Sequence, residues 1–237
     1  MNYIRLPLQN AYNVRDLGGY ACDGGVTDWR AFVRADSLHR LSGDDVDFLL
    51  DYGIRTVIDL RSANELEDAP DPDGLKAFTD YHHIPLMSGN VTEVTTLPDG
   101  DPASFLGRFY LSTLKDETLA VRSVMEAIAE AREGGVLFHC AGGKDRTGIT
   151  AALLLGLVGV ARADILANYE VTYTYNSQNM EMSASASKYP VEYMYSRRES
   201  MEPALDYIAG FGSTEAYLRT VGVDERALGK IKARLVG

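Results

Sequence analysis

Cys140 and Arg146 stand at the two ends of a short segment, with five residues between them. A deprotonated cysteine is a strong nucleophile, and a guanidinium presents a planar pair of donors to the oxygens of a phosphoryl group. The spacing predicts a site in which Cys140 attacks phosphorus as a thiolate. Arg146 would bind two equatorial oxygens while charge redistributes. Thr147 could then donate its hydroxyl to the sulfur when that sulfur becomes the leaving group.

The segment joins a predicted strand to a predicted helix. Residues 136–138 are strand formers after a Gly134-Gly135 break, whereas the apolar run from residue 149 is too rich in Ala and Leu for a second strand. The loop would therefore open onto a helix N-terminus, whose free N–H groups and positive dipole end favour an oxyanion and a thiolate. Two glycines would let the backbone curl around the anion. The predicted phosphate-binding residues are Ala141, Gly142, Gly143, Lys144 and Thr147.

A purely structural interpretation would make this stretch a buried cysteine at a sheet edge, a glycine turn and a solubilising arginine. That interpretation accounts for Cys140 alone. It does not explain why Lys144 and Arg146 both lie at the positive end of a helix, where cations are unfavourable unless an anion binds.

Residues 139–148, His-Cys-Ala-Gly-Gly-Lys-Asp-Arg-Thr-Gly, resemble the cysteine-phosphatase signature of His, Cys, five residues, Arg, and Ser or Thr. The Lys-Asp-Arg-Thr-Gly ending is similar to atypical bacterial protein-tyrosine phosphatases, a family with dual-specificity and phosphoinositide-phosphatase-like members. Asn13–Tyr20, Ile58–Glu65 and Gly212–Leu218 also resemble that family, so the likeness covers nearly the whole chain. It implies a phosphocysteine intermediate, an N-terminal segment that wraps back near the site, and a helical lid.

The general acid, which must protonate the leaving oxygen, is less certain from sequence. Many cysteine phosphatases use an Asp beside Trp and Pro, but Trp29 follows Asp28 without a proline. Asp145, inside the loop, is the preferred candidate, although the neighbouring cations favour its ionised form. Asp59, at a predicted strand end, is the second, and it could equally cap the short helix that follows. Arg61 and His139 are further candidates for the site.

Alternating strand and helix patterns predict an α/β fold with a central, mainly parallel sheet flanked by helices, as one phosphatase domain over residues 1–237. The Tyr- and Met-rich stretch of about 170–201 is the predicted lid, with ordinary surface helices as the alternative. The remaining predicted elements are strands at 31–35, 54–60 and 81–86, an irregular stretch at 68–74, a long loop at 87–102, and helices at 42–52, 103–114, 116–132, from 164, 203–210, 213–221 and 224–235. Ser42, Ser213 and Asp224 are the predicted helix caps, and the predicted buried side of the helix at 116–132 consists of Leu119, Val121, Val124, Met125 and Ile128.

Arg15 and Asp16 have two interpretations from sequence. They could form a surface ion pair, or they could belong to the N-terminal segment that the resemblance places near the site.

The net charge and the cysteine content limit which binding partners and which cellular compartment are expected. The net charge of −11 over 237 residues disfavours nucleic acid and stable association with anionic membranes. No apolar signal segment is visible, and two cysteines, Cys22 and Cys140, make no disulfide framework. We therefore expect a cytoplasmic protein, although some relatives leave the cell by routes without such a signal. The paired His82 and His83 look like ordinary strand residues, so neither a metal nor another cofactor is predicted.

The predicted activity is hydrolysis of phosphomonoesters through a phosphocysteine, most simply as a protein-tyrosine phosphatase. A phosphorylated protein is the expected substrate, with dual or phosphoinositide specificity open because Lys144 could serve a second phosphate. One alternative is a non-catalytic phospho-ligand binder, yet both Cys140 and Arg146 are present. Another is an arsenate reductase or sulfurtransferase, against which Thr147 and the lack of a resolving cysteine near Cys140 both argue. The sequence leaves the oligomeric state open.

Overall fold

A five-stranded sheet forms the centre of the computed structural model, which describes residues 1–2, 4–86, 101–178 and 191–237. The strands in chain order are β1 (Arg15–Asp16), β2 (Ala21–Cys22), β3 (Gly25–Val26), β4 (Phe32–Ala35), β5 (Ile54–Asp59), β6 (Asp80–His83) and β7 (Gly135–His139). The sheet has the order β1-β4-β7-β5-β6, and only β1 runs antiparallel to its neighbour. Strands β2 and β3 form a separate hairpin. The predicted α/β fold with a mainly parallel sheet is confirmed.

Helices cover both faces of this sheet. Their bounds are α1 (Gly43–Tyr52), α2 (Ala63–Asp68), α3 (Asp73–Phe78), α4 (Pro102–Asp116), α5 (Thr118–Glu130), α6 (Arg146–Leu157), α7 (Arg162–Asn176), α8 (Arg198–Ala209), α9 (Thr214–Thr220) and α10 (Glu225–Leu235), with a 3-10 helix at Val191–Met194. Two apolar clusters form, one against each face, and the larger surrounds α6. Because α6 is apolar all round, it is buried all round.

Local sequence explains several helix boundaries. Ser42 caps α1 in a reciprocal arrangement with Asp45, and Gly53 ends the helix at φ 108°. Ser213 and Asp224 cap α9 and α10 as predicted. These side chains satisfy N–H groups that the first helical turn leaves free.

The parallel register brings the carboxyl ends of three strands to one edge of the sheet. Ala35 and Asp59 both lie opposite His139, from the strands on either side of β7. The residues that follow these strands therefore meet at this edge, where ligands bind in open α/β sheets.

Some predicted elements were placed wrongly. Leu119, expected on the buried side of α5, is 76% exposed, because the buried face at Val121, Val124, Met125 and Ile128 lies on the opposite side of the helix. Residues 73–74, at the end of a stretch predicted as irregular, begin α3, which extends to Phe78. The strand predicted at 81–86 is β6, which begins at Asp80 and ends at His83.

The C-terminal helical region also differs from expectation. Helix α8 begins at Arg198, before the predicted 203, and contains Pro203. The proline ring fits there because it packs on Gly107 of α4, where an added Cβ would lie 3.0 Å from Pro203 Cγ.

The loop predicted at 87–102 lies outside the described residues up to position 100. Residues 179–190 of the predicted lid also lie outside the described residues. The described parts of that stretch are the end of α7, the 3-10 helix and the start of α8. None of the helices in the described ranges is both long and apolar enough to cross a membrane.

Candidate active site

The loop between β7 and α6, residues 140–145, lies at the carboxyl edge of the sheet. Cys140 opens it and is 1% exposed, and the hydroxyl of Thr147 in the first turn of α6 donates to Cys140 Sγ at 3.1 Å. The sulfur thus lies at the base of the loop with a donor already directed at it.

Carbonyl groups of the loop are turned outward and held from outside. Each carbonyl of residues 141–143 accepts at least one hydrogen bond from another part of the chain. The donors are Ser37 N to Ala141 (2.9 Å), Asn176 Nδ2 and Asn13 Nδ2 to Gly142 (2.8 and 3.2 Å), and Asn13 Nδ2 and Arg34 Nη2 to Gly143 (3.1 and 2.6 Å). In a planar trans peptide the N–H points opposite to the carbonyl. The N–H groups of residues 142–144 therefore face the inner side of the loop, where an oxyanion would bind.

Gly143 is required by this geometry. Its φ is +61°, and an added Cβ would lie 2.7 Å from the carbonyl oxygen of Ala35 and 2.8 Å from Asn13 Nδ2. At Gly142 the nearest atom to such a Cβ would be 3.8 Å away. The close approach of the loop to β4 thus depends on Gly143.

Arg146 is oriented by a carboxylate that sequence reasoning did not assign. Its Nη1 and Nη2 donate to Glu65 Oε2 and Oε1 at 2.6 and 2.8 Å. Burial disfavours the charged guanidinium, but the hydrogen bonds to Glu65 outweigh it and raise the pKa of Arg146 above its ordinary value. Ser62 and Glu65 form a capping box at the start of α2, which fixes the carboxylate. Arg146 is therefore held by a bidentate pair beside the loop.

Asp145 and Lys144 face different partners. The hydroxyl of Tyr110 in α4 donates to Asp145 Oδ1, and the same hydroxyl lies 2.7 Å from the hydroxyl of Tyr169 in α7. Lys144 Nζ lies 3.5 Å from Asp145 Oδ1 and donates to the carbonyl of Tyr193 at 2.5 Å. The loop carboxyl is thus oriented by a tyrosine, and the loop lysine bonds to the 3-10 helix.

Asp59 and Arg61 form a buried pair behind the loop rather than in it. Arg61 donates to both carboxylate oxygens of Asp59, with the closest contact at 2.7 Å, and Tyr81 adds another donor. Although burial raises the pKa of Asp59, hydrogen bonds from Arg61 and the charge of His139 more than offset it and hold that pKa well below its ordinary value. Asp59 does not cap α2, because Ser62 does.

His139 lies in the same cluster. Its Nε2 is 3.0 Å from Asp71 Oδ2 and 3.7 Å from Asp59 Oδ1. The three side chains could together present ligand atoms within 4.8 Å of one another to a cation. However, Arg61 Nη2 already contacts Asp71 Oδ1 at 3.0 Å and Asp59, so a guanidinium supplies the positive charge that a metal would bring.

The N-terminal segment contributes to the site, as the family resemblance implied. Arg15 and Asp16 are both buried and do not pair with each other, so their alternative interpretation as a surface ion pair is wrong. Arg15 bonds to Asn13, whose amide holds the loop. Asp16 instead accepts from Tyr52.

Several residues were missed from sequence as parts of this neighbourhood: Asn13, Arg34, Glu65, Asp71, Tyr110 and Asn176. Two signals were available: the family resemblance of Asn13–Tyr20 and the Ser-x-x-Glu spacing at 62–65, since a capping box fixes where Glu65 points. Nothing local marks Arg34 or Tyr110, because each reaches the loop from an element far away in sequence.

Cys22 lies far from Cys140. The amide of the next residue, Asp23, donates to the carbonyl of Val158, just beyond the end of α6, at 2.9 Å. Cys140 lies at the start of that helix, whose 12 residues span about 18 Å. Both cysteines are free, and the fold does not pair them.

Comparisons with known proteins give a consistent result. A model of the tyrosine phosphatase family matches residues 6–237. A tyrosine-protein phosphatase of Nostoc commune is 33% identical over 232 residues, covering 91% of this chain and 77% of the relative. A Cupriavidus necator protein, provisionally named a tyrosine-protein phosphatase, is 32% identical over 226 residues, covering 87% and 80%.

Proposed function

We propose that this protein, which belongs to the tyrosine phosphatase family, hydrolyses phosphotyrosine through a covalent phosphocysteine on Cys140. The observation that carries the proposal is the orientation of the loop. Its carbonyls are held outward at residues 141–143, so consecutive N–H groups face inward above a buried sulfur. This arrangement suits a phosphoryl dianion bound for in-line attack.

In the first step the Cys140 thiolate attacks phosphorus, and the bond from phosphorus to the substrate oxygen breaks. Arg146 and the loop N–H groups hold the equatorial oxygens as charge spreads over them. Asp145 gives its proton to the departing oxygen, so the alcohol leaves neutral and the enzyme retains the phosphoryl group on sulfur.

In the second step water attacks the phosphocysteine. The Asp145 carboxylate takes a proton from that water, the bond from phosphorus to sulfur breaks, and phosphate leaves. Thr147 donates its hydroxyl to the sulfur at 3.1 Å, which stabilises the thiolate as it re-forms. The enzyme returns to its starting state with Asp145 protonated.

Asp145 is favoured over Asp59 as the general acid by their surroundings. Asp59 is fully buried and accepts from Arg61 and Tyr81, so it neither reaches a substrate nor holds a proton at neutral pH. Asp145 is half-buried in the loop itself. Its Oδ1 accepts from Tyr110, which leaves Oδ2 for the leaving group.

The depth of the sulfur supports an aryl phosphate as substrate. With Cys140 at 1% exposure, a phosphate on a short serine side chain would reach it less readily than one on tyrosine. Lys144 was expected to be available for a second phosphate, but its ammonium group bonds to the Tyr193 carbonyl at 2.5 Å. This contact favours a phosphoprotein over a phosphoinositide.

The 3-10 helix at 191–194 supports restricted access to the loop, as expected of a lid. Besides the Lys144 contact, the ring of Tyr193 packs edge-on against Phe105 of α4. Tyr173 of α7 pairs edge-on with Tyr195 just beyond. We propose that substrate enters when the two aromatic contacts open while the Lys144 contact is kept.

The test combines trapping with a substrate panel. Cys140→Ser and Arg146→Ala should each abolish turnover of p-nitrophenyl phosphate while the unfolding transition is kept, and acid quenching of wild type should trap phosphate on Cys140. Phosphotyrosine peptides should be cleaved faster than phosphoserine peptides and phosphoinositides. Turnover of arsenate or thiosulfate instead, or near-wild-type rates in either folded variant, would refute the proposal.

A further inference from the structure

Two arginine side chains are buried beneath the loop, and in the part of the chain that the structure describes neither donates a hydrogen bond to a carboxylate. Arg34 and Arg15 are 0% and 2% exposed. In the described ranges of the chain, all their hydrogen bonds go to neutral groups: two side-chain amide oxygens, two backbone carbonyls and the Thr172 hydroxyl. A buried charge is unfavourable unless an opposite charge lies nearby. The pair therefore creates a local excess of positive charge.

Arg34 is the member of this pair that reaches the active-site loop. It lies opposite Phe138 in the register of β4 and β7, so its side chain shares a sheet face with Cys140, two residues further on. Its Nη2 donates to the Gly143 carbonyl at 2.6 Å and its Nη1 to Asn168 Oδ1. Within the described residues its Nε is buried without any hydrogen-bond partner.

Resting on the function proposed above, we propose that Arg34 is a positioning residue that stabilises the Cys140 thiolate through its buried charge. Its bond to Gly143 also keeps the next N–H turned toward the phosphate. The unpaired cation is thus compensated by the anion that catalysis creates at the base of the loop, first as thiolate and then as bound phosphoryl group.

The electrostatics of the two arginines agree with this role. Burial lowers the pKa of Arg34 to about 10, and a negative charge on Cys140 is the strongest influence that opposes the shift. Burial and the charge of Arg34 lower the pKa of Arg15 well below its ordinary value. Arg34 remains a cation at neutral pH. The attraction between two opposite charges stabilises both of them. A Cys140 thiolate that stabilises the Arg34 cation is therefore itself stabilised by that cation.

Other ionisable groups near this pair do not cancel the charge. The groups that act on Arg34 are Cys140, Arg15, Tyr20, Tyr110 and Tyr169. Arg15 is further influenced by Tyr175 and, most weakly, by the buried carboxyl of Asp36, which accepts its hydrogen bonds from the backbone N–H groups of residues 12 and 13 and not from either arginine. Around Cys140 the loop adds His139, Lys144, Asp145 and Arg146, of which Arg146 is already paired with Glu65. Burial raises the pKa of Tyr110 and of Tyr169, so both are neutral near pH 7.

Asn168 offers an isosteric test. Its side-chain oxygen accepts from Arg34, and its Nδ2 donates to the Tyr20 hydroxyl at 2.8 Å. An aspartate here would pair with the buried guanidinium without changing the volume of the side chain. Asn168→Asp should therefore preserve or raise the unfolding temperature while it makes the thiolate less favourable.

The measurement is the pH profile of Cys140 alkylation by iodoacetamide, in a Cys22→Ser background. Asn168→Asp should shift the profile to higher pH and slow alkylation at about pH 6 by roughly tenfold. The matched control is Ala167→Asp, which adds the same charge to the neighbouring, exposed position of α7 and should leave the profile in place. Arg34→Gln should also shift the profile to higher pH. Arg34→Lys keeps a positive charge, so its profile should lie between those of Arg34→Gln and wild type.

The outcomes separate this inference from the proposed function. If wild-type Cys140 alkylates like an ordinary thiol, the phosphocysteine proposal fails. If wild type reacts as an activated thiolate but Asn168→Asp or Arg34→Gln leaves the profile unchanged, only the role of Arg34 fails. The assignment to Arg34 would also be overturned if Ala167→Asp shifted the profile as much as Asn168→Asp does. The same holds if Arg15→Gln, at an arginine that is also buried, shifted it as much as Arg34→Gln does. Should Arg34→Gln not fold, Asn168→Asp decides.

Discussion

Glu65 accepts hydrogen bonds from both terminal nitrogens of Arg146, at 2.6 and 2.8 Å, and so ties the start of helix α2 to the start of α6, next to the loop at 140–145. The pair leaves the guanidinium pre-oriented before any anion binds. Because Arg146 is already oriented, less of the free energy of phosphate binding has to be used to order its side chain.

We expect Glu65→Gln to lower kcat/KM roughly 10- to 100-fold, because Arg146 loses its charged partner and its fixed orientation. Steady-state kinetics with p-nitrophenyl phosphate measure the effect. The matched control is Ser62→Ala, which removes the hydroxyl that caps the same helix but keeps the backbone N–H of residue 62 that holds the Glu65 carboxylate. It should cost about 1 kcal/mol of stability with kcat/KM nearly unchanged. Equal losses in both variants would mean that Glu65 acts only through helix α2.

Asp145→Asn should lower kcat much more with an alkyl phosphate than with p-nitrophenyl phosphate, whose leaving group scarcely needs a proton. General acid catalysis contributes about 10²- to 10⁴-fold, so the alkyl substrate should lose a factor in that range. Tyr110→Phe should show the same substrate dependence in weaker form, because it removes the donor to Asp145. An equal loss on both substrates would mean that Asp145 shapes the loop instead of donating a proton.

Asp59→Asn should destabilise the fold by about 3 kcal/mol at neutral pH, since it leaves Arg61 buried with one partner fewer. The pKa of Asp59 is lower in the folded protein than in the unfolded chain. Its contribution is therefore complete above the ordinary carboxyl pKa and is lost as the pH falls below about 4. Denaturant unfolding from about pH 7 to pH 3 should show a weaker pH dependence in the variant. An unchanged free energy of unfolding at neutral pH would contradict the importance of the pair.

Peroxide should inactivate the enzyme and thiol should restore it, because an active-site thiolate oxidises first to sulfenic acid. Cys22→Ser should be inactivated and rescued at the same rates as wild type, since Cys22 lies near the opposite end of α6 from Cys140. Activity assays after timed exposure to peroxide provide the measurement. A variant that becomes irreversibly inactive would show that Cys22 protects Cys140 through a rearrangement of the fold.

Local patterns in the sequence were enough to predict the loop at 140–145, the strand before it and the helix after it. The glycines, the apolar helix and the caps at Ser42, Ser213 and Asp224 act within a few residues, so their effect can be inferred without knowing the fold. The α/β class followed from alternating periodicities for the same reason. Leu119 shows the limit, because its place on α5 depends on which helix face meets the core.

Only the tertiary structure decided which distant residues complete the site. Glu65, Tyr110 and Arg34 are 81, 35 and 109 positions from their partners Arg146, Asp145 and Gly143. Parallel strand order brings β4 and β5 to either side of β7, and helix packing brings α4 and α7 over the loop. The sequence predicted Cys140 and its loop because the signals for them are local. The groups that orient Arg146, Asp145 and the loop carbonyls come from contacts that exist only once the sheet and helices have packed.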